Sequence, residues 1–231
     1  MTKFNVITLF PELIENHLSY LPFKKAVAHG ATQVKLVNLR NYAVDSYGSV
    51  DDKPYGGGVG MLLRVEPIYH ALQDLGLAKE EGRPENKVGK NKIVLLSPQG
   101  KKFTQKRAQI YSKLEEITLI CGRYEGVDAR VEHFVDELVS VGDYILSGGE
   151  LGALIIMESV TRLLPGVLEK ESAALIESFS DNATGKYEYP QYTRPEEFMG
   201  LKVPDILLSG DHKKIAKWRE DSPRNRVKIK G

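Results

Sequence analysis

Three glycine-rich segments mark where the backbone of this 231-residue chain can come close to a small ligand: Tyr55-Gly56-Gly57-Gly58-Val59-Gly60, Gly122-Arg123-Tyr124-Glu125-Gly126 and Val141-Gly142-Asp143-Tyr144-Ile145-Leu146-Ser147-Gly148-Gly149. Glycine has no Cβ, so it tolerates positive φ and lets a ligand approach the main chain. The first segment lacks the Lys-Ser/Thr ending of a phosphate loop, and no glycine completes GxGxxG at the spacing a dinucleotide fingerprint needs. A nicotinamide-dependent dehydrogenase therefore loses its support. Taken alone, the first segment reads more simply as a tight loop, with Asp51-Asp52-Lys53-Pro54 before it as loop polarity. The second and third follow apolar runs, and Leu96-Ser97-Pro98-Gln99-Gly100 ends another. Ligands of open α/β sheets sit outside the carboxyl ends of the strands, so three such turns point to one shared pocket. Free amides and carbonyls in Val141–Gly149 can hydrogen-bond an adenine edge as a neighbouring strand would.

Those turns need a sheet to hold them. Phe4–Phe10, Val34–Leu39, Lys92–Leu96, Ile117–Cys121 and Leu138–Val141 read as strands, several too continuously apolar for a sheet with one wet face. Helices fit between them. Pro11–His29 opens with Pro in its first turn, stops at Gly30 and must break or kink at Pro22; Glu66–Leu75 follows; Thr104 can cap Gln105–Leu114; and Glu150–Leu164 is apolar. The alternation predicts an α/β domain over roughly residues 1–165, a parallel sheet with helices on both faces. Ala78–Lys92 is charged, punctuated by Gly and Pro, and expected to be an exposed loop. Beyond Pro165-Gly166 the sustained apolar repeats stop, and Leu168–Tyr192 reads as a linker that orders on binding.

Composition narrows the partners. A 42% hydrophobic content suits a globular protein, and a net charge of +1 carries no global nucleic-acid signature, so any basic surface must be local. It is local in the last thirty residues. Lys202, Lys213, Lys214, Lys217, Arg219, Arg224, Arg226, Lys228 and Lys230 stand there against Asp205, Asp211, Glu220 and Asp221, an excess of five positive charges that suits a polyanion. A solubilising tail has the same composition, and Trp218 serves as a packing anchor or as a base-stacking platform. The lone cysteine, Cys121, lies in an apolar run without a metal-binding partner and reads as a buried structural thiol, which favours a reducing compartment. The start of the chain lacks the apolar core of a signal peptide, and no segment approaches the roughly 20 apolar residues of a membrane span. A cytoplasmic protein without a membrane partner is expected.

A resemblance then emerges from motifs in order. Asp51-Asp52-Lys53-Pro54-Tyr55-Gly56-Gly57-Gly58, Leu96–Gly100, Cys121–Gly126, Val141–Leu151, Arg162–Leu168 and Tyr192-Thr193-Arg194-Pro195 resemble the successive motifs of the bacterial tRNA (guanine-37-N1)-methyltransferases, over nearly the whole chain. That family belongs to the SPOUT methyltransferases. The resemblance implies a SPOUT-type α/β domain over 1–165 with a C-terminal deep trefoil knot, a flexible linker over 166–195 and a small, shortened helical region over 196–231. It also implies an obligate homodimer with each active site at the subunit boundary. The substrate would be tRNA carrying guanosine at position 37, and the methyl donor S-adenosylmethionine bound in the knot.

Residue by residue, the resemblance assigns Leu96, Ser97, Pro98, Gly122, Glu125, Val141, Gly142, Asp143, Tyr144, Ile145, Leu146, Gly148 and Gly149 to the cofactor pocket. Glu125 is also the candidate for a Mg²⁺-linked role, or else an ordinary turn carboxylate. Guanine N1 carries a proton and is a poor nucleophile, so its methylation needs a base for that proton and a cation near O6. Arg162 matches the family's catalytic arginine; its plain alternative is an i,i+4 pair with Glu158. The family's base is an aspartate before Ser-Phe, where this chain has Glu177 before Ser178-Phe179, one methylene longer; Asp181 and Glu188 are the alternatives. Thr193, Arg194, His212 and Arg219 fall on tRNA-binding positions, although Thr193-Arg194-Pro195 equally suits a helix start. Gly152 and Val59 stand where the family has proline, and the tail matches only the start of the family's C-terminal helical domain. Another SPOUT specificity, or a catalytically impaired RNA-binding relative, remains the alternative.

Overall fold

The computed structural model describes residues 1–78, 89–168, 178–179 and 188–222. Five strands form one all-parallel sheet: β1 (Thr2–Thr8), β2 (Thr32–Asn38), β5 (Asn91–Lys102), β6 (Glu116–Cys121) and β7 (Glu137–Ser140), in the order β2-β1-β6-β5-β7. Strand β1 is buried along nearly its whole length, as its central place requires, whereas β2 at the edge alternates buried and exposed positions. A short antiparallel pair, β3 (Asp51–Asp52) with β4 (Leu62–Leu63), brackets the first glycine segment.

The pleat sends alternate side chains of each strand to opposite faces, and each face has its own core. Phe4, Val6, Val94, Leu96, Leu119 and Cys121 pack with α1 (Pro11–Leu18), α2 (Phe23–Ala28), α4 (Gln105–Tyr111) and α5 (Glu150–Thr161) through Ile14, Phe23, Ala108, Ile156 and Met157. Ile7, Ile93, Leu95 and Ile120 pack on the other face with Ile68, Ala71 and Leu72 of α3 (Val65–Asp74) and with Leu39 and Val131 of two 3-10 turns. Helices on both faces were the expectation, and the sheet is covered in that way. Pro22 falls between α1 and α2, and the Thr104 hydroxyl accepts from Arg107 N at the start of α4. Helix α5 ends three residues earlier than its apolar pattern suggested. Among the described residues no helix is long and apolar enough to cross a membrane.

Strand β5 departs from expectation. The Ser97–Gly100 turn does not end the strand. Pairing with β7 runs from Val94 to Leu96, skips four residues and resumes at Lys101 and Lys102. The chain bulges out and returns because residue 100 is glycine: a Cβ there would lie 2.3 Å from Val139 N. The excursion carries Ser97 and Pro98 out of the sheet, where proline's missing N–H costs no ladder bond. Strand β7 is held at its start by Glu137, which accepts from Tyr111 Oη at 2.6 Å and pairs with Arg107 at 2.8 Å and Lys92 at 3.2 Å. Burial opposes ionisation of Glu137, but these hydrogen bonds and charges outweigh it and hold its pKa below the usual range.

The chain divides into two compact units, 1–169 and 170–231. In the second, β8 (Glu197–Phe198) and β9 (Leu201–Lys202) form a hairpin through Met199 and Gly200, both at positive φ. Helices α6 (Asp205–Leu208) and α7 (His212–Asp221) follow, the second capped by the Asp211 carboxylate on Lys213 N and Lys214 N. The region over 196–231 thus opens with a hairpin rather than a helix, and no helix starts at Thr193-Arg194-Pro195. Most of the expected loop Ala78–Lys92 and most of the linker lie outside the described residues; Asn91 and Lys92 already belong to β5.

Candidate active site

The excursion within β5 and the carboxyl ends of β6 and β7 open into one cleft of about 250 Å³. Leu96, Ser97 and Pro98 reach it from the β5 excursion; Gly122 and Glu125 from the turn after β6; Val141, Gly142, Tyr144, Ile145, Leu146, Gly148 and Gly149 from the turn between β7 and α5. All three turns therefore share one pocket. Asp143 is the exception among the pocket residues named from sequence: it points away and pairs with Lys102 at 2.5 Å. Its motif neighbours line the cleft because the backbone turns between them, which a motif match cannot register.

Close approach of backbone builds the walls. Gly149 N donates to Gly122 O at 2.9 Å, and a Cβ on Gly149 would lie 2.7 Å from Cys121 Cα. Gly149 has an ordinary negative φ, so its need for glycine is one of space alone. Gly149→Ala should destabilise the protein by about 1–3 kcal/mol through overpacking and weaken ligand binding in the cleft roughly tenfold. Urea melts and calorimetry check the two effects, and an alanine protein with both unchanged would refute this account of the wall. The Tyr144 ring covers Gly142, and its hydroxyl donates to Val141 O at 3.1 Å. Cys121 lies buried beneath, where burial first and the Glu150 charge second push its thiol well above the usual range; it is a packing group.

Three further features were not anticipated. Arg123, Tyr124, Ser147 and Gly152 also line the cleft. Tyr124 takes positive φ within the turn. Arg123 is bound to Glu150, the buried first residue of α5, at 2.9 Å. The sequence did carry a signal, an arginine in a glycine turn and an acid at a helix start, but nothing in the spacing pairs them. The first glycine segment does not line the cleft but abuts it: a Cβ on Gly60 would lie 2.5 Å from Glu125 Cγ, and Glu125 N donates to Met61 O at 3.1 Å.

The donor set decides what the cleft can hold. Leu96, Val139, Val141 and Leu146 line it with apolar side chains, and the glycines of the turns bring backbone to its rim. Its charged lining residues are Arg123 and Glu125, and Arg123 is engaged by Glu150. Among the described residues a pyrophosphate would find no uncommitted cation, whereas an adenosyl group with a cationic sulfonium fits. Among the described residues no three His, Cys, Asp or Glu side chains converge on a possible metal position.

Arg162 is not in this cleft. It caps the C-terminal end of α5, whose N-terminus lines the cleft, and twelve residues at about 1.5 Å each separate the two ends by roughly 18 Å. Its amide donates to Glu158 O at 3.1 Å, and the Glu158 carboxylate lies 3.8 Å from His17 Nε2 on α1. Arg162 thus stands at the far end of the helix that starts beside the Val141–Gly149 turn, apart from the cleft within one chain. Glu177 lies outside the described residues, as does Asp181. In the second unit Thr193 and Arg194 are exposed, His212 begins α7, and the Arg219 guanidinium stacks 5.0 Å from the Tyr189 ring centroid, with Trp218 against the same ring.

Comparison with known proteins agrees with this geometry. Residues 2–230 match the family described as tRNA (Guanine-1)-methyltransferase TrmD. A tRNA (guanine-N(1)-)-methyltransferase of Geobacillus kaustophilus (strain HTA426) is 46% identical over 227 residues, 97% of this chain and 88% of the relative. That of Bacillus subtilis (strain 168) is 45% identical over 229 residues, 99% of this chain and 90% of the relative. The crystal structure of tRNA (m1G37) methyltransferase from Aquifex aeolicus aligns with a TM-score of 0.74 at 43% identity, covering 94% of this chain and 87% of that one. With a match that leaves out only the two terminal residues, this chain belongs to the tRNA (guanine-1)-methyltransferase family.

Proposed function

We propose that this enzyme transfers the methyl group of S-adenosylmethionine to N1 of guanosine 37 in the anticodon loop of tRNA, in the cytoplasm. The observation that carries the reading is the glycine-walled cleft, lined by apolar side chains and, among the described residues, without an uncommitted cation, in a chain of this family. S-adenosylmethionine supplies an electrophilic methyl group when bound. The turns Gly122–Gly126 and Val141–Gly149 hold its adenosyl part against Leu96 and Leu146 and keep water away. Glu177 takes the proton from guanine N1, the N1 lone pair forms the new bond to carbon as the carbon–sulfur bond breaks and its electron pair leaves on sulfur as the neutral thioether, and Arg162 stabilises the negative charge that develops at O6. Extracting the base from its stack costs roughly a few kcal/mol, which contacts of the second unit with the anticodon stem-loop offset. Arg194, His212 and Arg219, exposed on that unit, are the side chains we assign to those contacts.

The same reading includes a homodimer whose active sites lie at the subunit boundary, and a SPOUT-type trefoil knot formed around the Val141–Gly149 turn. Three observations support them. Leu151 and Ile155 lie one turn apart on α5 and are 59% and 42% exposed, an apolar stripe suited to a second copy. The separation of Arg162 from the cleft along α5 is bridged when the partner's helix end reaches the cleft. The knot reading is supported by Gly149 folding back on Gly122 after the chain has passed through β7.

Transcripts of a tRNA with guanosine or adenosine at position 37, incubated with S-adenosylmethionine, test the reading. One added methyl on guanosine 37 alone is the expected product, located by mass spectrometry. Methylation at another nucleotide would replace the proposed specificity, and no binding of S-adenosylmethionine at millimolar concentration would remove methyl transfer altogether.

A further inference from the structure

The two turns that bound the cleft are far apart in sequence, and a buried ionic unit joins them. We propose that Thr8, Arg123 and Glu150 are positioning residues that set the spacing of the glycine turns for the methyl donor; the proposal rests on the reading of the cleft given above.

Each member reaches a different wall. The Glu150 carboxylate is buried at the first position of α5, directly after the Val141–Gly149 turn. Its Oε1 accepts from Thr8 Oγ1 at 2.6 Å and from Arg123 Nε at 3.1 Å. Its Oε2 lies 2.9 Å from Arg123 Nη2 but lacks the alignment of a hydrogen bond, so the contact there is ionic. Arg123 Nη1 donates to Ser147 O at 3.4 Å, within the same turn. The guanidinium stacks 4.4 Å from the Phe10 ring centroid, and Phe10 N donates to Thr8 Oγ1 at 3.0 Å, which closes the circuit back to β1. A Cβ on Gly148 would lie 2.3 Å from Arg123 Nε, so the arginine lies flat on that glycine.

The chemistry favours positioning over a direct part in the reaction. Arg123 borders the cleft, yet its charge is matched by a carboxylate that faces no solvent. A planar fork is needed to touch a carboxylate and a carbonyl at once, which an ammonium cannot do. A buried ion pair is also a weak source of stability, because desolvation offsets its attraction. What this pair does supply is a fixed distance between the end of β6 and the start of α5, reinforced by the antiparallel bridge of Arg123 with Gly148.

Glu150→Gln preserves shape and removes the charge. In the ligand-free protein, hydrogen exchange over residues 145–151 should accelerate about tenfold, the equivalent of losing one charge-assisted hydrogen bond, while exchange in β1 stays unchanged. The same variant should bind S-adenosylmethionine about tenfold more weakly, with kcat at saturating donor within about twofold of the parent, a loss confined to binding. Arg123→Lys should behave alike, since the fork is lost. Thr8→Val removes one neutral donor and serves if the charge variants do not fold; it should give roughly a third of that effect on exchange and affinity. Unchanged exchange over 145–151 in the folded variants overturns the proposal, as does a fall in kcat with affinity intact. If the parent protein itself fails to bind S-adenosylmethionine, the methyltransferase reading falls, and the exchange measurement still decides whether the unit holds the turns.

Discussion

Arg162→Ala should lower the single-turnover rate of methyl transfer by ~10²–10³, the usual cost of removing one preorganised donor from a developing negative charge. Affinity for S-adenosylmethionine should hardly change, because the role assigned to Arg162 is at guanine O6 rather than at the donor. Arg162→Lys should recover only part of the loss, since an ammonium keeps the charge without the planar fork. The roughly 18 Å between the cleft and Arg162 along α5 adds a sharper test. Mix protomers carrying Arg162→Ala with protomers whose cleft is blocked by Gly149→Val. If Arg162 serves the partner's cleft, each mixed dimer holds one complete site, and statistical mixing should restore about a quarter of the parent activity. If Arg162 serves its own cleft, no activity returns. Quenched-flow rates on the separate and mixed proteins distinguish the two.

The second large effect belongs to Glu177. Guanine N1–H must lose its proton as the new bond forms, and a positioned general base contributes typically 10²–10⁴. Glu177→Gln should therefore slow single-turnover methyl transfer by ~10²–10⁴ at neutral pH, while donor and tRNA affinities stay near those of the parent. Near-normal rates would remove Glu177 from the role and turn attention to Asp181 and Glu188. Glu177→Asp is the informative companion. It restores the shorter carboxylate of the family motif at nearly the same intrinsic acidity, and a shift of about 1 Å at a reacting centre can change the rate roughly a hundredfold. A faster aspartate variant would mean that the linker is spaced for the shorter acid; a slower one would mean that it has adjusted to glutamate.

The strands were legible because burial on both faces demands continuous apolar runs, and Ile117–Cys121 and Leu138–Val141 could be little else. The break at Pro22 and the cap at Thr104 were legible because each acts through its own backbone or side-chain geometry. The end of α5 was less so. Leu163 and Leu164 are packed apolar residues, and periodicity does not distinguish a packed turn from a helix. The Ser97–Gly100 excursion was read as a strand end since proline and glycine interrupt the run; that the strand resumes depends on β7, which meets Gly100 with no room for a side chain.

What the sequence by itself determined was the set of elements and the three turns that form the cleft, because strand, helix and turn preferences act over a few neighbouring residues. Their motif order also sufficed to suggest the family. Only the tertiary structure decided which side chains meet. Thr8, Arg123 and Glu150 converge because β1 and β6 are neighbours and α5 starts over their ends. Asp143 leaves the cleft for Lys102 because the turn rotates it outward. Arg162 lies far from the cleft of its own chain because a helix of twelve residues has a fixed rise. These are pairings across long sequence separations, set by how the sheet orders its strands, and no local pattern along the chain encodes that order.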